Sequence, residues 1–416
     1  MLRTLLLILL CSASTGAQTV AIRAGHLIDP ATGTVADNQV ILVKDGKIAE
    51  VGPRVTIPAG AEVVDLSRSW VMPGLMDAHT HLTVGPPPGS IAIIQPYLTD
   101  STALRALRGA MNARNVLEAG FTAVKDVGND AEWAAVDARR AVERGWFTGP
   151  TMLTTGKIIA PFGGQPHDVP PEQGPFWRHE YIDADTPAEV RKAVRRNIYY
   201  GANAIKLVAD NNPYFFSLAE LRAAVEETHA AGLRIAVHVV GGQAADNVIE
   251  AQPESIEHGF DLTDEQLRRM KEKGIVLVGT DFPEAALEMM QFNQVKDGKK
   301  LSERIVDRLR RAYKVGTKMA FGTDVFLELP DRTRADLMLD YLAVWTAAGV
   351  PPAELLKAMT TNAAELFGWT GQRGAIAAGQ AADIIATTES PLADIQALRK
   401  VSFVMKDGVV VVKDTR

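Results

Sequence analysis

Short apolar runs separated by turn residues occupy both ends of the chain. Two Asp-Gly pairs, Asp45-Gly46 and Asp407-Gly408, lie between such runs. An Asp-Gly pair in this position is typical of a β-hairpin. The runs cover residues 20–23, 39–44, 47–52, 382–387, 401–406 and 409–413. Because long helical stretches are missing at both ends, the pattern predicts one small β domain built from residues 18–73 and 374–416.

The central part of the chain, residues 74–373, alternates apolar strand candidates with helical segments. Leu218, Leu221 and Val225 recur at helical spacing, with Ser217 as a candidate N-cap. Eight repeats of strand and helix predict an α/β fold, a (β/α)8 TIM barrel. An open doubly wound sheet is the alternative, but no glycine-rich phosphate loop follows the first strand. The strand candidates are residues 75–79, 122–126, 151–155, 204–208, 235–239, 255–258, 275–278 and 319–322.

Composition and charge narrow the range of partners. The chain has 416 residues, of which 47% are hydrophobic and 23% charged, as in ordinary globular proteins with a large core. Its net charge is −6, and no Lys/Arg cluster carries interleaved aromatic residues. We therefore expect no nucleic-acid partner.

The first 17 residues have the pattern of a secretory signal peptide. Arg3 precedes an apolar core at residues 5–10, and Thr15-Gly16-Ala17 offers a small-residue cleavage site. A buried strand or an uncleaved anchor is the alternative. The only cysteine, Cys11, follows Leu10, where a lipoprotein signal needs a small residue. We expect a secreted or periplasmic protein that has no membrane contact after cleavage. Its mature chain has no thiolate to offer a metal.

Metal-capable side chains fall at the ends of five strand candidates. His79 and His81 stand two residues apart in VMPGLMDAHTHL, so a strand would present both on one face. Each residue also has an ordinary interpretation, such as a hydrogen-bonded core histidine, a turn aspartate or a paired lysine. In a barrel, however, the carboxyl ends of the strands converge on one site. The other candidates are Lys206, His238, His258 and Asp324.

With these residues and motifs in place, the sequence resembles the amidohydrolase superfamily of metal-dependent hydrolases. The similar segments also include ILVKDGKIAEVGP near the start and GAIAAGQAADIIAT near the end, which resemble the split β-sandwich of that family. The resemblance implies that His79, His81 and Asp324 bind an inner metal and that His238 and His258 bind a second. It further implies that Lys206 bridges the two as N6-carboxylysine. Zinc suits this ligand set best, with Mn, Fe or Co as substitutes.

The implied reaction is the hydrolysis of a carbon–nitrogen bond. A metal-bridging hydroxide attacks the substrate carbonyl, and Asp324 acts as general base and then passes the proton to the leaving nitrogen. The chain is most similar to the branch of secreted Xaa-Pro and Xaa-Arg dipeptidases and ochratoxin-type amidases. Imidazolonepropionase-like enzymes also align, but they usually hold one metal and lack the lysine.

The expected substrate is a small-molecule amide, either an N-acyl amino acid or a dipeptide. A cyclic amide or lactone hydrolase and a catalytically silent binding protein remain as alternatives, and association into a homo-oligomer stays open. Two departures from the family concern substrate binding. Gln165 and then His167 follow Gly163-Gly164, where relatives often have GGH, and Val240 stands where many have tyrosine. We expect Gln165, His167 and Tyr214 to contact substrate from loops over the barrel mouth.

Overall fold

A computed structural model describes residues 19–86, 98–128, 131–165, 170–210 and 214–413. The predicted signal peptide at residues 1–17 and the predicted substrate residue His167 lie outside the described residues.

Seven strands from the two chain ends form one mixed sheet. Its hairpin turns are the two predicted Asp-Gly pairs, and in both pairs the two residues have left-handed backbones, with φ of 52° and 76° at Asp45-Gly46 and 47° and 79° at Asp407-Gly408. This is the turn geometry that matches the twist of the flanking strands. The strand order is β19-β18-β17-β4-β1-β2-β3. The strands are β1 (Val20–Asp29), β2 (Thr34–Lys44), β3 (Lys47–Gly52), β4 (Glu62–Pro73), β17 (Ile384–Thr387), β18 (Val401–Lys406) and β19 (Val409–Lys413).

This sheet folds over its own apolar core. Ile22 and Ile41 from the start of the chain share one buried cluster with Ile384 and Phe403 from its end. The backbone N–H of Ile48 in β3 donates to the carbonyl of Gln380, at 2.9 Å, shortly before β17. The two chain ends therefore hold each other in the predicted β-sandwich, and the edge strand β3 is covered rather than open to other chains.

The eight predicted parallel strands are present in the central part of the chain. They form the runs β5-β6-β7 and β10-β11-β12-β13-β16. Backbone hydrogen bonds join these runs, from Ala78 to Phe321 at 2.8 Å and from Asn203 to Thr154 at 3.0 Å. The result is the (β/α)8 TIM barrel. The eight are β5 (Leu75–Thr80), β6 (Phe121–Asp126), β7 (Thr151–Thr154), β10 (Ile205–Val208), β11 (Ile235–Val239), β12 (Ser255–His258), β13 (Val276–Val278) and β16 (Met319–Ala320).

Short additional strands were not predicted from the sequence. After β7 the backbone turns at Gly156 (φ 68°), where a Cβ would lie 2.6 Å from the Trp133 ring. The N–H of Lys157 then donates to the side chain of Asn197 at 3.2 Å instead of to a strand. The chain afterwards rejoins the sheet beside β10. The additional strands are β8 (Ile158–Ala160), β9 (Tyr181–Asp183), β14 (Val295–Lys296) and β15 (Lys299–Lys300).

The helices pack around the barrel and begin and end at the expected signals. Ser217 caps its helix in a capping box with Glu220, and Gly201 and Gly274 end two others in left-handed conformations. None of the helices in the described ranges combines the length and apolarity needed to cross a bilayer. The α-helices are α1 (Thr102–Glu118), α2 (Ala134–Glu143), α3 (Pro187–Tyr200), α4 (Leu218–Ala230), α5 (Gly242–Ala251), α6 (Asp264–Lys273), α7 (Glu284–Met289), α8 (Leu301–Val315), α9 (Arg334–Leu339), α10 (Leu342–Ala347), α11 (Pro352–Ala358) and α12 (Thr361–Phe367).

Candidate metal centre

The six metal-capable residues named from the sequence all lie at the carboxyl ends of barrel strands. They are almost completely buried, with exposed fractions between 1% and 8%. So many polar side chains in a protein interior require partners there, because an unpartnered buried polar group is costly. The residues are His79 in β5, His81 just after it, Lys206 in β10, His238 in β11, His258 in β12, and Asp324 beyond β16.

Asp77 fixes the first strand of the barrel against the segment that follows the last. Its Oδ1 accepts the backbone N–H of His79 at 2.9 Å and that of Thr323 at 3.2 Å. The N–H of Asp324 donates in turn to the carbonyl of His79 at 2.7 Å. The positions of His79 and Asp324 are therefore set by hydrogen bonds of their backbones rather than of their side chains.

Three of these residues present their ligand atoms to one point. The Oδ1 atom of Asp324 lies 2.9 Å from Nε2 of His81 and 3.6 Å from Nε2 of His79. The ligand atoms of the three residues all lie within 4.8 Å of one another. Metal–ligand bonds of about 2.0–2.2 Å in tetrahedral geometry put neighbouring ligand atoms about 3.4 Å apart. The three side chains therefore fit a single divalent ion.

A second group lies directly beside the first. The imidazole rings of His238 and His258 have centroids 4.3 Å apart, and the rings of His258 and His79 are 5.0 Å apart. Among the described residues, Nζ of Lys206 and Nε2 of His238 are buried without a hydrogen-bond partner. The unpartnered Nζ of Lys206 marks a place where a further group belongs, whereas Nε2 of His238 lies 3.6 Å from Oδ1 of Asp210.

The electrostatics of the cluster leave most of its imidazoles neutral. Burial, reinforced by the charge of Lys206, lowers the pKa of His238 to about 3 and that of His79 well below its usual value. Burial and the neighbouring His238 lower the pKa of His258 in the same direction. Burial also opposes protonation of His81, but the hydrogen bond and charge of Asp324 outweigh it and raise its pKa. Neutral imidazoles keep the lone pair that binds a metal.

Lys206 is the unusual member of the group. Burial lowers the pKa of its ammonium group from 10.5 to about 8, even though the carboxylates of Glu257 and Asp324 favour the charged form. A substantial share of the side chain is then the neutral amine near pH 8. A neutral amine is a nucleophile, whereas an ammonium group is not.

Further polar residues contact the Nδ1 atoms of His79 and His258, and they were not among the residues predicted from the sequence. Nδ1 of His79 donates to Oε2 of Glu257 at 2.5 Å, and Nζ of Lys125 lies 3.3 Å from the other oxygen of this carboxylate. Nδ1 of His258 lies 2.7 Å from Oγ1 of Thr280. Hydrogen-bond partners at the second ring nitrogen orient metal-binding histidines in this way. The available signal was Glu257 itself, an acidic residue inside a buried strand.

Three non-glycine residues at the site have left-handed backbones. They are His258 with φ of 67°, Thr280 with φ of 44° and Asp324 with φ of 56°. Such conformations are uncommon for residues with a Cβ, and they concentrate at functional sites. All three follow the carboxyl end of a barrel strand, where the side chains must turn inward.

The described substrate candidates lie in loops on the same side of the barrel but make other contacts. Tyr181 donates to Oε1 of Gln165 at 2.8 Å. Tyr214, with 48% of its surface exposed, donates to the carbonyl of Phe162 at 2.5 Å. Within the described residues, these hydrogen bonds thus run to Tyr181 in β9 and to the loop residue Phe162, and not to the six converging residues.

Known proteins resemble this chain along nearly its whole length. Ochratoxinase of Aspergillus niger is 30% identical over 437 residues, which covers 95% of this chain and 87% of the relative. A crystal structure of A. niger ochratoxinase has a TM-score of 0.78 at 26% identity and covers 96% of each chain. A Xaa-Pro dipeptidase with methionine bound in its active site has a TM-score of 0.81 at 26% identity, covering 95% of this chain and 100% of the other.

A family match agrees with these individual similarities. Residues 70–411 match the amidohydrolase family, a range that contains the barrel and both parts of the metal-capable cluster. Members of this family typically use divalent metals, as the buried His79, His81 and Asp324 also suggest. The chain therefore belongs to the amidohydrolase family and is a hydrolase.

Proposed function

We propose that the protein is a binuclear metal-dependent amidohydrolase that cleaves the C–N amide bond of N-acyl amino acids or dipeptides. The observation that carries the proposal is the convergence of four buried imidazoles, one carboxylate and a lysine at one end of the barrel, the lysine having no hydrogen-bond partner among the described residues. The relatives support the amide substrate, because one is an ochratoxinase and another a Xaa-Pro dipeptidase.

The residues of the cluster divide into two sets of metal ligands. His79, His81 and Asp324 would hold the inner ion, and His238 and His258 the second. The donor set of imidazole and carboxylate, without any thiolate, suits zinc. Bound divalent ions would lower the pKa of a water molecule and polarise the substrate carbonyl.

Lys206 would join the two sets after reaction with CO₂. The neutral Nζ attacks the carbon of CO₂, and as the N–C bond forms, one C=O π pair moves onto oxygen. The nitrogen then releases one proton to water, which leaves a carbamate anion. An ammonium group repels cations, whereas a carbamate offers two oxygens. Among the described residues, the buried Nζ has no hydrogen-bond partner, which supports this modification because no existing bond has to be broken for it.

Asp324 would carry the proton through the reaction. As general base it takes a proton from the attacking water, and as general acid it gives that proton to the leaving nitrogen. Its Oδ1 is close to His79 and His81, and its second oxygen lies beside His258, at 3.7 Å from Nδ1. Glu257 keeps His79 in orientation during this transfer.

Substrate contacts and location in the cell belong to the same proposal. Gln165, His167 and Tyr214 would contact the substrate from loops over the barrel mouth, and residues 1–17 would direct export to the periplasm or outside the cell. The division into residues 18–73 with 374–416 and residues 74–373 would separate the β domain from the catalytic barrel.

Metal analysis combined with a substrate panel tests the proposal. We expect about two divalent ions per chain, as a two-metal site requires, and faster hydrolysis of N-acyl amino acids or dipeptides than of cyclic amides or lactones. A single tightly bound ion would contradict the binuclear centre. Preference for the cyclic substrates would change the substrate class, and a metal-loaded protein inactive on the whole panel would favour a binding protein.

A further inference from the structure

Asp210 is a largely buried residue beside His238 that the proposed reaction does not use. It lies two residues beyond β10, where the N–H of Ala209 donates to the carbonyl of His238 at 2.9 Å. Its Oδ1 is buried, lacks a hydrogen-bond partner among the described residues, and is 3.6 Å from Nε2 of His238. That Nε2 is likewise buried and unpartnered. Two unsatisfied atoms therefore face each other.

The carboxylate of Asp210 is fixed in its orientation. Oδ2 accepts the backbone N–H of Val240 at 2.8 Å and lies 3.4 Å from that of Gly241. Both of these groups are donors, so an oxygen must face them. The remaining oxygen, Oδ1, is thereby presented to the imidazole of His238.

We propose that Asp210 is a positioning residue that keeps the proton of His238 on Nε2, so that Nδ1 retains the lone pair for a metal ion. The inference rests on the proposed function, because that function assigns His238 to the second metal. A separation of 3.6 Å is longer than a hydrogen bond. Even so, in a buried site the negative carboxylate oxygen repels a lone pair on Nε2, whereas it attracts an N–H group at the same position.

Direct metal binding by Asp210 fits the structure less well. In the described part of the chain, the trio whose ligand atoms converge within 4.8 Å is His79, His81 and Asp324, and Asp210 joins no such group with His238 and His258. Asp210 therefore acts through the ring of His238. Carboxylates that orient metal-binding histidines in this manner typically change metal affinity by about 10–100-fold.

The variant Asp210→Asn makes the inference testable. The N–H groups of Val240 and Gly241 hold the amide oxygen on their side, so the amide NH₂ faces Nε2 of His238. That donor requires a lone pair on Nε2 and moves the imidazole proton to Nδ1, where it competes with metal. We expect Asp210→Asn to weaken binding of the second zinc ion by about 10–100-fold in chelator competition.

Two readouts separate positioning from bracing of the backbone. Nitrogen-15 NMR of histidine-labelled, metal-free protein should place the proton of His238 on Nε2 in the wild type and on Nδ1 in Asp210→Asn, with His238→Gln used to assign the signals. Asp210→Ala should also weaken zinc binding. As a control, Asp137→Asn changes an exposed carboxylate on α2 that pairs with Arg140 at 3.4 Å, and it should leave both readouts unchanged.

The possible results decide between this inference and others. A wild-type spectrum with the proton of His238 on Nδ1 overturns the inference. A zinc affinity that falls in Asp210→Ala but not in Asp210→Asn also overturns it, because the asparagine keeps the hydrogen bond to Val240 and only bracing of the backbone would then matter. If the wild type binds no second zinc ion, the proposed function fails. The metal-free spectra still judge the role of Asp210 in that case.

Discussion

Replacing Lys206 by methionine should stabilise the metal-free protein while removing the second metal. Methionine keeps the length and the apolar stem of lysine but has no ionisable group. Lys206 is 2% exposed, and its Nζ has no hydrogen-bond partner among the described residues. Its ammonium group is therefore buried without a hydrogen-bonded carboxylate among the described residues. Burial lowers its pKa from 10.5 to about 8.

The size of the effect follows from that pKa. A fall from 10.5 to about 8 means that the charged form costs the folded state about 3 kcal/mol, because each tenfold change in proton affinity is worth about 1.4 kcal/mol. Below pH 8 both the folded and the unfolded chain are protonated, so the cost is fully present. Between pH 8 and 10.5 the unfolded chain binds more protons, and the stability of the wild type rises with pH.

Urea denaturation of metal-free protein at pH 7 and at pH 9.5 measures this difference. Lys206→Met should exceed the wild type by about 3 kcal/mol at pH 7 and by less at pH 9.5. The matched control is Lys125→Met, which removes a buried lysine 3.3 Å from the carboxylate of Glu257. That variant should lose about 3–5 kcal/mol, because it leaves a buried charge without its partner. Equal stability of Lys206→Met and the wild type at pH 7 would refute the reasoning.

Three further predictions concern other parts of the molecule. Asp324→Asn should lower kcat by about 10²–10⁴-fold. By elemental analysis it should retain more zinc than His79→Ala does, and near-full activity would exclude Asp324 as the base. Glu257→Gln should weaken zinc binding by about 10–100-fold in chelator titration, since it removes the charge that His79 contacts at 2.5 Å. An unchanged zinc affinity would contradict the role of Glu257 in orienting His79. Gly74→Ala should lower the free energy of unfolding, measured by urea denaturation, by about 1–3 kcal/mol, because the new Cβ would lie 2.1 Å from Oγ1 of Thr122. A variant as stable as the wild type would show that the structure relieves this contact without cost.

The architecture was predictable because its signals are local. Apolar runs of strand length, glycine at helix ends and Asp-Gly turns each act within a few residues, and the eight strands occur where these signals place them. The metal-capable residues followed from one further rule, that the strand ends of a barrel converge. His79 and His81 also share one face of their strand because side chains alternate.

The supporting contacts could not be predicted in the same way. Glu257 reaches His79 across 178 positions of sequence, and Asp210 reaches the backbone of Val240 across 30. Such pairs depend on the stagger of neighbouring strands, which is fixed only once the barrel has closed. The interruption of the third strand at Gly156 has the same origin, because it depends on the distant Trp133 ring that fills the space beside it.

Backbone strain at the site indicates how the barrel serves the chemistry. Left-handed residues with a Cβ cost of the order of 1–3 kcal/mol each and persist only where the surroundings enforce them. Here backbone hydrogen bonds hold two of the three strained residues. The N–H of Gly259 donates to Val239 at 2.9 Å, just after His258, and the N–H of Asp324 donates to His79 at 2.7 Å. Since these bonds belong to the backbone, side-chain variants of the ligands should leave the barrel folded, which allows metal binding and catalysis to be tested separately from stability.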